Sequence, residues 1–171
     1  KLINIINEKN EILKSLSKDY KNNFNHKNLK KFKKSLDCRV IGMGGSSLGA
    51  QAIYNFLRHK IKKRFYFFDN LNRNNLEKKK NYNNLIISKS GNTIETIVNV
   101  NLLIKKQDQN ILITENKKNY LNLLAEKLKA DIIHHNDYIG GRYSVLSEVG
   151  MLPAELMGLN INNFKQFNFL I

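Results

Sequence analysis

A chain of 171 residues with 42% apolar side chains is long enough for one domain with a proper core and is not a disordered tail. The formal charge of +15 raises the question of nucleic acid. The basic residues are scattered, however, and Lys, Asn and Ile are abundant together, as a plain compositional bias would make them. A nucleic-acid-binding protein is therefore the weakest function class. The group Lys30, Lys31, Lys33 and Lys34 and the run Lys78-Lys79-Lys80 are expected to be solvated surface. Cys38 stands alone, which excludes an internal disulfide and points to a reducing compartment. No signal-peptide pattern and no apolar run long enough to span a bilayer is present. The chain, which begins at Lys1, reads as cytoplasmic and as a piece of something longer.

In chain order, Leu2, Ile5, Ile6, Ile12, Leu13 and Leu16 recur at helical spacing and predict an N-terminal helix or helix pair. Residues 18–36 are polar and predict a loop with a short helix, which makes 1–36 an N-terminal helical segment. From Cys38 onward the organisation is clear. Arg39-Val40-Ile41 is a short apolar run ending in Gly42-Met43-Gly44-Gly45-Ser46-Ser47-Leu48-Gly49, and Ala52, Ile53, Phe56 and Leu57 follow at helical spacing. That is strand, glycine turn, helix, and such a turn lets main-chain donors approach a ligand. The spacing Gly-x-Gly-Gly-x-x-x-Gly is not the dinucleotide fingerprint, and no Lys completes a P-loop.

The pattern repeats with Phe65 to Phe68, Leu85 to Ile87, Ile111 to Ile113 and Ile132-Ile133 as strands, and helices around 94–104 and 120–128. Continuous apolar strands alternating with amphipathic helices predict an α/β fold with a parallel sheet covered on both faces, over residues 37–160. Ligands of such sheets bind at the carboxyl ends of the strands. Residues 161–171 read as the start of a connection to a further domain.

The richest stretch is Ser88-Lys89-Ser90-Gly91-Asn92-Thr93-Ile94-Glu95-Thr96, four hydroxyls within nine residues at a strand-to-helix turn. A helix N-terminus favours an anion, most often a phosphate. The competing reading is a capping box, with Asn92 or Thr93 ahead of Glu95 and Thr96. One hydroxyl suffices for a cap, so four of them beside Gly91 favour an anion cradle. A third constellation, Asp137-Tyr138-Ile139-Gly140-Gly141-Arg142-Tyr143-Ser144, is predicted to open an apolar helix through Leu152 that ends near Gly158. It sets a cation in a close-approach turn, suited to a phosphate or a developing oxyanion. The apolar residues Val145, Leu146, Val149, Met151 and Leu152 of that helix are expected to leave an exposed patch.

Three motifs in this order and spacing resemble those of the phosphoglucose isomerase family, whose chain is built from two sugar isomerase (SIS) domains. The similarity runs from about Arg39 to Asn160 and implies a three-layer α/β/α sandwich with a doubly wound sheet. It implies that Ser88, Ser90, Thr93 and Thr96, with the main chain at Lys89, hold a sugar phosphate and that Gly45 and Ser46 line the sugar hydroxyls. It implies that Arg142 stabilises an enediolate during aldose-ketose isomerisation of glucose 6-phosphate and fructose 6-phosphate. The Lys89 side chain is expected to face outward or support the loop, and Asn92 stands where the family more often has Thr or another residue. The family uses no metal and no organic cofactor, and the full-length form is a homodimer that takes a ring-opening His across the interface. Neither that His, nor the carboxylate base, nor a late Lys has a counterpart here. Glu95 has a capping role and Glu148 sits in an apolar helix. His134 and His135, adjacent on a strand, face opposite sides and are no metal pair. The expected reading is an isomerase by family whose isolated segment is inactive. The alternative is a non-catalytic sugar-phosphate-binding SIS module.

Overall fold

Each apolar run is a strand, and each is short because a turn residue stops it. The computed structural model describes residues 11–17, 19–25, 29–33, 36–71, 82–105 and 107–166. The strands are β1 (Asp37–Ile41), β2 (Arg64–Phe68), β3 (Asn83–Ile87), β4 (Gln109–Glu115) and β5 (Asp131–His135). All pairings are parallel, in the order β2-β1-β3-β4-β5. The chain runs outward from β1 to β2 and then returns to the other side of β1, where β3, β4 and β5 follow. This reversal makes the sheet doubly wound, with its switch point between β1 and β3. Of the predicted N-terminal helix only α1 (Glu11–Lys14) falls among the described residues. Leu2, Ile5, Ile6, Lys34 and the run Lys78 to Lys80 lie outside them.

Because adjacent strand residues face opposite sides, each strand feeds two cores. On one face Cys38, Val40, Leu85, Ile87, Ile111 and Ile113 lie under several helices. The covering groups are Leu29, Phe32 of α2 (Lys30–Lys33), Ile53 of α3 (Leu48–Phe56) and Val149, Met151 and Leu152 of α6 (Glu148–Leu156). On the other, Ile41, Ile86 and Leu112 lie under Val100 and Leu103 of α4 (Ile94–Leu103) and Leu121 and Ala125 of α5 (Tyr120–Leu128). The result is the expected three-layer α/β/α arrangement. Each such side chain contributes roughly 1.5–3 kcal/mol by leaving water, which is why the central strands tolerate no alternation. Cys38 is 1% exposed, and burial pushes its thiol up to about 11.

The last helix departs from the sequence expectation. Arg142 does not open it: Gly141–Leu146 is a 3₁₀ turn, and α6 starts only after Ser147, whose side chain accepts from the Val149 N–H. The Ser144 hydroxyl donates back to the Gly141 carbonyl at 2.7 Å and the Ser147 hydroxyl to the Ser144 carbonyl at 2.7 Å, holding the tighter turn. A Cβ on Gly150 would lie 2.0 Å from the Val145 carbonyl oxygen, so glycine alone lets this turn fold back on the helix. Nor does α6 leave the expected patch, since Val149, Met151 and Leu152 are core. Of the five residues named, Val145 is exposed and Leu146 half-buried.

The N-terminal edge of the sheet holds a polar cluster around Asp108, just before β4. Its carboxylate accepts from the backbone N–H groups of Tyr82 (3.2 Å) and Lys105 (3.0 Å) and from the Asn84 amide (3.1 Å). Arg39 approaches it at 3.8 Å, donates to the Leu103 carbonyl at 2.7 Å and stacks over the Tyr82 ring at 3.5 Å. Among the described residues no helix is long and apolar enough to cross a membrane.

Candidate functional site

The loops that end β1 and β3 lie side by side because those strands flank the switch point, and the turn after β5 closes over them. Their glycines allow chain to approach chain. A Cβ on Gly42 would meet the Ile87 carbonyl oxygen at 2.8 Å, and one on Gly45 the Gly141 carbonyl oxygen at 2.3 Å. The Ser144 hydroxyl also reaches the Gly45 carbonyl, at 3.3 Å. Gly45 is thus occupied with seating the turn that carries Arg142, a role the spacing did not reveal. Ser46, Lys89, His135, Gly141 and Ser144 line a small cavity between these loops.

Within the predicted cradle the hydroxyls are not spent on capping. Thr93 occupies the N-cap position of α4, but its side chain makes no capping bond. Its Oγ1 lies 2.9 Å from Ser88 Oγ, which also accepts the Gly91 N–H at 3.1 Å. Ser90 is exposed and accepts the Asn92 N–H at 3.3 Å. Thr96, in the first turn of α4, is 1% exposed and its Oγ1 has no hydrogen-bond partner. Gly91 is required by its own backbone and packing as well: its φ is +68°, and a Cβ there would lie 2.2 Å from the Asn119 side chain. Asn92, the departure from the family pattern, accepts the Tyr120 N–H at 2.9 Å, satisfying one of the orphan donors at the start of α5. The Lys89 carbonyl accepts from Thr114 Oγ1 (3.1 Å) and the Glu115 N–H (3.0 Å). Its side chain, half-buried, donates to the Asp137 carbonyl and pairs with Glu115 at 3.4 Å, supporting the loop.

Arg142 is exposed on its 3₁₀ turn and, among the described residues, makes no hydrogen bond or ion pair to the loop at 88–96. Behind it lies a buried cluster. His135 Nδ1 is 2.9 Å from Glu148 Oε1, and His135 Nε2 is 3.0 Å from the Ile139 carbonyl oxygen. The Tyr20 hydroxyl donates to Glu148 Oε2 at 2.9 Å, and the Asn136 N–H donates to Oε1 at 3.3 Å. Burial alone would push the Glu148 carboxyl up. The bonds from His135, its own N–H and Tyr20, with the His135 charge, outweigh that and hold it below the usual carboxylate range. Burial and the Glu148 charge raise the Tyr20 phenol far above its ordinary value, so it stays a donor. Lys165 Nζ sits 4.3 Å over the Tyr20 ring, and burial pushes it down to about 8 against the pull of Glu148. Glu148 thus sits at the buried start of α6 with its carboxylate already engaged by Tyr20, His135 and Asn136. His134 lies apart, in a groove beside α5 with Lys117 and Asn119. Nothing in the spacing marked Tyr20, Asn119 or the pairing of His135 with Glu148, because each partner comes from a distant element.

The comparisons with known proteins bear on this geometry. The model of the phosphoglucose isomerase family matches residues 3–169. The chain belongs to the phosphoglucose isomerase family. It is 36% identical over 140 residues to the glucose-6-phosphate isomerase of Methanocaldococcus jannaschii, covering 74% of this chain and 34% of that protein. It is 36% identical over 156 residues to the glucose-6-phosphate isomerase of Acholeplasma laidlawii, covering 78% of this chain and 36% of that one. The chain thus spans about a third of the length of these family members. In fold it matches the tagatose-6-phosphate ketose/aldose isomerase of Escherichia coli with a TM-score of 0.60 at 17% identity, covering 81% of this chain and 43% of that one.

Proposed function

We propose that this chain is the sugar-phosphate-binding segment, over residues 37–160, of an enzyme that interconverts glucose 6-phosphate and fructose 6-phosphate. The observation that carries the reading is the state of the loop after β3. Ser88 and Thr93 bond only to each other and to their own loop, and Thr96 Oγ1 is buried without a partner at the start of α4. A bound phosphate would take these donors, with Ser90 and the Lys89 main chain, where the helix dipole favours negative charge. Gly45 and Ser46 would face the sugar hydroxyls. Arg142 would stabilise the enediolate that forms when a proton leaves the carbon beside the carbonyl.

The proton needs a base within about 3 Å. Among the described residues Glu148 is committed to Tyr20, His135 and Asn136. The base and the ring-opening His are therefore assigned to sequence outside this segment, the His to a second subunit of a homodimer. The same observation favours a second reading, a module that binds sugar phosphate without turning it over.

Titration calorimetry with 6-phosphogluconate tests the site. Ser88→Ala with Thr93→Ala should weaken binding by about 1.5–3 kcal/mol for each lost hydrogen bond to the charged group. Equal heats for variant and parent would remove the assignment. A coupled assay for fructose 6-phosphate should find the 171-residue chain alone near background, because general acid–base catalysis is worth about 10²–10⁴-fold. Turnover abolished by Arg142→Ala would show a base within the chain.

A further inference from the structure

We propose that His135 is a positioning residue: it donates through one ring nitrogen to the Glu148 carboxylate and through the other to the Ile139 carbonyl, and so fixes the loop that presents Gly141 and Arg142. A carbonyl oxygen only accepts, so Nε2, 3.0 Å from Ile139, carries a hydrogen. Both oxygens of Glu148 face donors, from Asn136 at 3.3 Å and Tyr20 at 2.9 Å, so Nδ1 carries the hydrogen of its own 2.9 Å contact. The ring is an imidazolium paired with a carboxylate, their side chains 1% and 0% exposed. Replacing such a pair by well-packed apolar groups is often neutral or stabilising, so stability alone does not account for it.

The pair holds a short connection. Between β5 and the 3₁₀ turn the chain is tethered at Asn136, whose N–H meets Glu148 and whose amide donates to the Tyr20 hydroxyl at 2.9 Å. It is tethered again at Asp137, whose carbonyl accepts from Lys89, and at Ile139, whose carbonyl accepts from His135. Ile139 is 0% exposed and directly precedes the two glycines. Since Gly141 lies against Gly45, the place of this connection sets both the gap beside Ser46 and the point from which Arg142 projects. Two cations therefore bind carbonyls two residues apart in one loop, Lys89 from the side of the loop after β3 and His135 from beneath. Among the described residues, Tyr20 from the N-terminal segment and Lys165 from the final turn also face the pair, and Lys89 lines the same small cavity as His135.

The purpose given to Arg142 rests on the function proposed above; the tether does not, and the test separates them. A long-range proton–nitrogen spectrum of the imidazole rings of the 171-residue chain near pH 7 is expected to show both His135 nitrogens protonated. A neutral ring overturns the proposal, and this readout needs no variant. The double variant His135→Leu/Glu148→Leu leaves no unpaired charge from the pair. In it the Ile139 and Tyr143 amides, bonded to Asn136 and Gly140, should exchange about tenfold faster or more, while those of Gly91 and Ile97 keep their protection. Unchanged exchange at the first two, or equal acceleration at all four, overturns the proposal. 6-Phosphogluconate should bind the double variant more weakly than the parent. A parent that does not bind it sinks the function and leaves the exchange result to decide the tether.

Discussion

At the N-terminal edge of the sheet Asp108 accepts from three protein donors, with Arg39 stacked behind it. At the C-terminal edge Ser88 and Thr93 share one contact, Thr96 Oγ1 has none, and Ser90 and Arg142 reach solvent. Both edges bury polar atoms, so burial does not distinguish them. What differs is how fully the polar groups are partnered by the protein: Asp108 is met by donors from three residues, whereas Thr96 Oγ1 has none. Asn84 Oδ1 is the exception at the first edge, lacking a partner. The Asn84 amide nitrogen donates to both Asp108 and Asn110, which ties the residue into the cluster.

The largest expected effect comes from breaking the closed edge. Asp108→Ala leaves Arg39 buried without its carboxylate and should cost about 3–5 kcal/mol in urea unfolding. A loss under about 1 kcal/mol would erase the distinction between the edges. At the open edge Thr96→Val should do the reverse, leaving stability within about 0.5 kcal/mol while weakening 6-phosphogluconate binding by about 1.5–3 kcal/mol. Undiminished binding would show that this hydroxyl is not part of the cradle. Gly45→Ala should destabilise by about 1–3 kcal/mol, because its Cβ would meet the Gly141 carbonyl and part the two loops. A melting temperature equal to the parent's would mean the turn gives way freely.

The smallest effect is a pH dependence. Glu148 titrates below its ordinary 4.5 in the folded chain, so the unfolded state binds the proton first. Its stabilising contribution is whole above that ordinary value and lost as the pH falls through the lower folded one. The urea midpoint should drop over this acid range in the parent and less steeply in Glu148→Gln. Parallel curves would show that Glu148 is not held as its donors suggest.

These contrasts follow how much the sequence could reveal. The strands were legible because burial on both faces writes an unbroken apolar run, and the hydroxyl loop because all its members lie within nine residues. The start of α6 was misread because the Ser144 and Ser147 side chains bond to their own backbone, which periodicity does not register. Gly45 and Gly91 read as ligand-facing glycines, and the chains they also admit, at Gly141 and Asn119, went unseen because they lie on other elements. His135 and Glu148 are 13 residues apart and Tyr20 is 128 from Glu148, so only the folded topology brings them together.

Cys38, in β1 next to the switch point, gives the chain a built-in clock. Only an exposed thiolate reacts with a disulfide reagent, and this thiol is both buried and pushed up to about 11. Modification in native buffer must therefore wait for the centre of the sheet to open, and its rate reports that opening without denaturant. As the chain's one cysteine it yields a single signal. Asp108→Ala should quicken that signal, whereas Thr96→Val, which changes only the open edge, should leave it running at the parent's pace.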